Sequence, residues 1–139
     1  MKKSMWFAGL FPFVVALVLA APAVAQQSPY TIHIPFRFNV SAHELPAGEY
    51  RVGIVSPGTV QIYGVDHIAN AMVVAPRLNR SSHEPQSAEL VFHRYGRQYF
   101  LSQAWFPDVD AGFELLTSNA EREYAARIPT TDTILRAAK

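Results

Sequence analysis

Residues 88–106 read AELVFHRYGRQYFLSQAWF, and this stretch decides the fold class. Two apolar runs, residues 88–93 and 98–106, flank the short segment RYGR at 94–97. Both runs are rich in the aromatic and β-branched residues that favour strands, and the connection contains a glycine, as tight hairpin loops often do. The stretch therefore predicts a β-hairpin.

Shorter strands are predicted on both sides of the hairpin. Residues 30–40 alternate apolar and polar side chains, which indicates a half-buried strand. Pro35 donates no ladder hydrogen bond, so this strand lies at a sheet edge or is broken there. The other strands are separated by turn signals such as LPAG at 45–48 and SPGT at 56–59. The predicted strands are 30–40, 49–55, 59–63, 68–75, 88–93, 98–106 and 113–116.

About seven to eight short strands with frequent turns predict an all-β fold: a single antiparallel β-sandwich or a small β-barrel. Ser118 and Glu121 match a helix capping box, so a short C-terminal helix is predicted over residues 119–127. Pro129 ends this helix, and a flexible tail is predicted over 129–139. The polar segment 76–87 is long for a loop in a compact domain and is expected to be mobile or functional.

Residues 98–106 are apolar on both faces of the predicted strand. Strict alternation places Tyr99, Leu101 and Trp105 on one face, and Phe100, Ala104 and Phe106 on the other. A strand exposed on one side would alternate with polar residues, so a cover is needed for the second face. We expect the C-terminal helix to provide it through Ala120, Tyr124 and Ile128; a bound apolar ligand or a partner protein are the alternatives.

The first 25 residues have the pattern of a secretion signal. Lys2 and Lys3 begin an otherwise uncharged segment with an apolar centre, and Ala23-Val24-Ala25 precedes the polar residues Gln26 and Gln27. This order predicts a signal peptide over 1–25 and one β domain over 26–128, exported to the periplasm or out of the cell. The alternative is an uncleaved membrane anchor.

Charge and cysteine content exclude several functions. Two of the 12 basic residues leave with the signal, so ten remain against 11 acidic residues and the net charge changes from +1 to −1. A domain with this charge has no global field to attract nucleic acid. The chain contains no cysteine, which rules out disulfides, thiol catalysis and cysteine-bound metals.

Several segments together resemble an uncharacterised family of small exported bacterial proteins. They are FRFNV at 36–40, LPAGEYRV at 45–52, LVFHRYG at 90–96, YFLSQ at 99–103 with Trp105, and SNAERE at 118–123. The resemblance implies an exported β-rich domain that ends in a short helix. It implies no reaction, ligand or catalytic residue.

A basic aromatic cluster around the hairpin is the candidate contact site for a ligand or partner. Its residues are Arg94, Tyr95, Arg97, Tyr99 and Trp105. Arginines beside stacking aromatics suit an anionic glycan, a lipid headgroup or a protein surface; single-stranded nucleic acid uses the same chemistry, but the net charge and compartment argue against it. The alternative is a hairpin tip whose arginines are simply solvated.

No catalytic, cofactor-binding or metal-binding residues are predicted. The five histidines lack the spacing that places two imidazoles on one face, and DVDAG at 108–112 has Phe113 where a calcium loop needs glycine. The sequence therefore favours an exported non-catalytic binding or structural module of the cell envelope, with an unknown envelope protein, a glycan or a small hydrophobic ligand as partner. A barrel-type carrier of a small hydrophobic ligand is the first alternative, and a hydrolase of unknown class is the second.

Overall fold

The computed structural model describes residues 29–79, 85–109 and 111–137. The predicted signal peptide lies outside these residues. Eleven strands and one helix occur within them: β1 Tyr30–Ile34, β2 Phe38–Val40, β3 His43–Leu45, β4 Gly48–Ser56, β5 Thr59–Gly64, β6 Asn70–Val74, β7 Arg77–Asn79, β8 Glu89–Tyr95, β9 Gln98–Trp105, β10 Ala111–Glu114, α1 Asn119–Ala125 and β11 Thr131–Arg136. The predicted all-β class with a short C-terminal helix is confirmed.

The strands form two sheets that pack face to face as a sandwich. The first sheet has the order β1-β4-β5-β6, and the second has the order β11-β8-β9-β10-β7, with β2 and β3 joined to it beside β9. The core lies between the sheets. Its fully buried side chains come from both: Ile32, Val52, Val60 and Ile62 from the first, and Phe38, Val40, Leu90, Phe92 and Ala104 from the second.

The predicted strand over residues 30–40 is broken after Ile34, as proline at position 35 allowed. Strand β1 pairs with β4 in the first sheet, whereas β2 runs parallel to β9 in the second. The chain therefore crosses from one sheet to the other at Pro35. Ile34 and Phe38 are both fully buried, so the apolar face of the sequence points into the core on either side of the crossing.

A β-bulge in the hairpin changes the predicted faces of β9. Val91 pairs with Gln103 and Phe92 pairs with Leu101, so Ser102 is the extra residue. The bulge places Leu101 and Ala104 on the same, core-facing side. The predicted faces are therefore wrong beyond Ser102.

The C-terminal region contains one confirmed and one corrected prediction. Helix α1 begins as predicted, because the Ser118 hydroxyl accepts a hydrogen bond of 3.1 Å from the Glu121 backbone N–H. Residues 131–136 are not a flexible tail: they form β11, which pairs along β8 because the alternating segment TDTILR continues the sheet.

The segment 76–87 contains β7, which pairs with β10. No helix in the described ranges is long and apolar enough to cross a membrane.

Candidate functional site

The hairpin tip brings together only part of the predicted contact cluster. The turn consists of Gly96 and Arg97, and Gly96 has a φ of +62°, a conformation that favours glycine. Arg94 and Tyr99 are directly paired across the hairpin, and the Arg94 guanidinium lies 5.5 Å from the centre of the Tyr99 ring. The other stacking partner of Tyr99 is Phe36, at 3.7 Å and an interplanar angle of 12°.

These contacts use much of the surface that a ligand would need. Arg94 also donates a 2.8 Å hydrogen bond from Nε to the Gly96 carbonyl. Asn39 donates a bond of 3.1 Å to the Tyr99 carbonyl, which joins the hairpin to β2. Arg97 is exposed in the turn. The tip thus presents two arginines beside a ring that is already stacked.

Tyr95 and Trp105 lie away from this tip surface. Tyr95 is 4% exposed and points to the opposite face of the sheet, where its hydroxyl donates a 3.1 Å hydrogen bond to Glu121 Oε1. Trp105 is 9% exposed and lies at the end of β9 that is far from the turn. It is seven residues from Gln98, the first residue after the turn, which corresponds to about 23 Å along the strand. The five predicted residues therefore do not form a single surface.

A second cluster, which no local sequence pattern indicates, joins α1 to the outer face of the second sheet. Glu121 is 4% exposed, and its Oε1 lies 2.7 Å from His93 Nδ1 and 3.1 Å from the Tyr95 hydroxyl. On its other side, His93 Nε2 lies 4.0 Å from Asp132 Oδ1. We call these four residues the helix clamp. Capping-box spacing signalled Glu121 as a cap but gave no indication of partners 26 and 28 residues away.

The helix clamp gives the buried Glu121 carboxylate two hydrogen-bonding partners on the sheet. Burial raises the pKa of the Tyr95 hydroxyl, and the Glu121 carboxylate adds to the rise, so Tyr95 remains a hydrogen-bond donor at neutral pH. Phe100 extends the contact, because its ring lies 5.7 Å from that of Tyr124 on α1. This confirms the predicted cover of β9 by the helix through Tyr124, whereas Ala120 is exposed.

Replacing Glu121 by alanine is expected to lower the free energy of unfolding by about 1–3 kcal/mol, because His93 and Tyr95 lose their buried acceptor. The matched control is Glu123→Ala, an exposed glutamate on the same helix, which we expect to change it by no more than about 0.5 kcal/mol. Urea unfolding followed by circular dichroism measures both. Equal losses in the two variants would show that the clamp contributes nothing beyond helix propensity.

A third feature is an exposed apolar surface at the edge of the first sheet. We define the edge patch as Ile68, Met72, Val74 and Leu116, which are 81%, 63%, 72% and 70% exposed. Aliphatic side chains this exposed are ordinary when scattered, but here they adjoin one edge strand, β6. No charged residue interrupts them, and Asn70 is the one polar side chain in this segment: residues 68–76 read IANAMVVAP.

A groove runs beside the edge patch, between β6 and the β2–β3 hairpin. One section of about 310 Å3 lies between Ser41–His43 and residues 71–74, and the adjoining section of about 370 Å3 lies between residues 43–46 and residues 68–70. Both bounding strands have a free edge in the described structure, since β6 pairs only with β5 and β3 pairs only with β2. The groove is therefore the open side of the sandwich.

Metal-binding geometry is not found in the described part of the chain, where no group of three or more histidine or carboxylate side chains could hold an ion. The comparisons with known proteins add no assignment. No protein-family model, curated protein or solved structure matches this chain.

Proposed function

We propose that this protein is an exported, non-catalytic binding or structural module of the bacterial cell envelope. The observation that carries the proposal is the contrast between the fully buried side chains between the two described sheets and the exposed edge patch. Ile32, Ile62 and Phe92 are 0% exposed between the sheets, whereas Ile68 and Val74 remain largely in solvent. Large apolar side chains grouped on a surface are typical of a site that a partner covers.

The packing of the core favours surface binding over the carrier alternative. Phe38 contacts Tyr50 and Phe92 edge-to-face across the space between the sheets, at centroid distances of 5.1 and 5.5 Å. A carrier would hold its ligand in that space, in a cavity of several hundred Å3. Aromatic side chains occupy it instead.

The contacts of the helix clamp favour a structural role over hydrolysis. A hydrolytic dyad keeps one imidazole nitrogen directed at the substrate or nucleophile. In the clamp, His93 Nδ1 faces Glu121 and Nε2 faces Asp132. The carboxylate and imidazole thus join α1 to the sheet, which supports a non-catalytic module.

Purification of the tagged full chain from a bacterial envelope fraction tests this proposal. Mass spectrometry should find the mature chain beginning at Gln26, together with an envelope component that Met72→Lys loses and Thr31→Lys retains. Thr31 is the matched control because it is exposed on β1, the opposite edge of the same sheet. Recovery from the cytosol with residues 1–25 still attached would contradict export. An identical set of co-purifying components in all three samples would contradict binding through the edge patch.

A further inference from the structure

Within the described residues, the backbone groups of every second residue of β6 pair with no neighbouring strand. The Ala75 N–H donates to the Gly58 carbonyl at 2.8 Å, and the Gly64 N–H donates to the Ala69 carbonyl at 2.6 Å. In an antiparallel ladder, alternate residues direct both backbone groups to the same neighbour. The odd-numbered residues therefore face β5, and Asn70, Met72 and Val74 direct their N–H and C=O groups away from it, to the free edge.

The same three residues also carry the exposed side chains of β6. Ala71 is 8% exposed and faces the core, whereas Met72 is 63% and Val74 72% exposed on the outer face. The edge lacks two features that prevent strand pairing, since β6 contains no charged residue and no proline. An approaching neutral strand meets neither charge repulsion nor a missing donor.

We propose that β6 pairs antiparallel with β6 of a second copy of this chain, with Met72 opposite Met72 and Asn70 opposite Val74. This register is self-complementary, because a two-fold axis through Met72 exchanges the two strands. All three residue pairs are of the type that exchanges two hydrogen bonds, so about six backbone bonds form. The two four-stranded sheets become one continuous sheet. The inference rests on the proposed function and names the partner of its edge patch.

The absence of charge makes the edge complementary to the same edge of a second copy. Two identical charged edges would repel in this register, whereas the uncharged run 68–76 is complementary to itself. The contact is small: a five-residue strand is about 17 Å long, and stable complexes bury about 800 Å2 per partner. The exposed side chains of Ile68 and Leu116 add area beside the strand. We therefore expect a dimer that dissociates on dilution.

A single cysteine tests the central pair. Because the chain has no cysteine, Met72→Cys introduces the only thiol. The proposed register places the two Cα atoms about 5.5 Å apart, within the range of a disulfide. With glutathione disulfide as the oxidant, the full-chain variant should form a covalent dimer at least about tenfold faster than Gln61→Cys. Gln61 lies opposite Met72 on β5, so its two copies would be about 14 Å apart.

A mixing experiment tests the register itself. Asn70→Cys alone and Val74→Cys alone should give little covalent homodimer, since each residue is about 13 Å from its own copy in the proposed pairing. An equimolar mixture of the two variants should give the mixed disulfide, identified by its mass. Equal cross-linking of every variant would indicate random collision and overturn the register.

Sedimentation of the unaltered full chain tests self-pairing without a substitution in β6. The wild-type chain should show a concentration-dependent monomer–dimer equilibrium. Met72→Pro removes the outward N–H and the exposed side chain but no hydrogen bond to β5, so it should shift the equilibrium to monomer with an unchanged circular dichroism spectrum. A wild-type chain that remains monomeric at about millimolar concentration, without Met72→Cys cross-linking, overturns self-pairing. If an envelope component is still captured through the edge patch, the proposed function stands without this inference. If the chain is monomeric and also captures no envelope component, the proposed function and the self-pairing inference both fail.

Discussion

Replacing Phe38 by alanine is expected to lower the free energy of unfolding by about 3–5 kcal/mol. Phe38 is fully buried and lies between Tyr50 of the first sheet and Phe92 of the second. Its removal leaves a cavity at the place where both sheets meet, between the rings of Tyr50 and Phe92. Domains of this size are stabilised by about 5–15 kcal/mol, so this one change removes a large share.

Because the chain contains no cysteine, no disulfide adds to its stability, and the fold depends on packing such as that of Phe38. Guanidinium unfolding at constant pH measures the loss. Phe38→Leu should lose clearly less, since it retains most of the buried volume, and Val55→Ala at a half-exposed position should change stability by about 0.5 kcal/mol or less. A loss below about 1 kcal/mol for Phe38→Ala would contradict the described core.

Replacing Gly112 by alanine is expected to destabilise the fold by about 1–3 kcal/mol. A Cβ atom at Gly112 would lie 2.7 Å from three atoms of the Trp105 ring, closer than carbon atoms tolerate. Gly112 and Trp105 are directly paired between β10 and β9, so the indole lies flat against a glycine that has no side chain. Trp105, which the sequence suggested as a ligand contact, is used in this packing.

Gly53→Ala provides the matched control for Gly112→Ala. Gly53 also lies within a strand, but its added Cβ would be 3.6 Å from Pro29, an ordinary contact. Alanine is less costly to order than glycine, so Gly53→Ala should leave stability unchanged or raise it by about 0.5–1 kcal/mol. Combining Gly112→Ala with Trp105→Leu should recover part of the loss. Similar losses for both glycines, without recovery, would show that the Trp105 contact is not the cause.

Local sequence signals predicted the elements whose determinants lie within a few residues. The hairpin of β8 and β9 follows from two apolar runs around Gly96, and α1 follows from Ser118 and Glu121. The turn at Pro57 and Gly58 was predicted from the same kind of signal, and Gly58 has the positive φ of +76° that the turn requires. Each of these preferences is decided by backbone sterics and short-range hydrogen bonds.

The bulge at Ser102 shows why the faces of β9 were not predictable. Period-two alternation applies only while the ladder is regular, and one extra residue exchanges the two faces. The bulge lies where the neighbour of β9 changes from β2 to β10. At this point the Ser102 carbonyl accepts a hydrogen bond from the Leu115 N–H, which follows β10. No residue near Ser102 in the sequence indicates that change of neighbour.

The sequence by itself determined an all-β domain without cysteine, its turns, its main hairpin and its capped helix, because these depend on local conformational preference and composition. Only the tertiary structure decided that residues 131–136 form a strand, that His93 and Tyr95 bind Glu121, and that β6 is left as a free edge. Each of these depends on contacts between residues far apart in the chain, and short apolar segments are compatible with many such pairings until a packed core selects one.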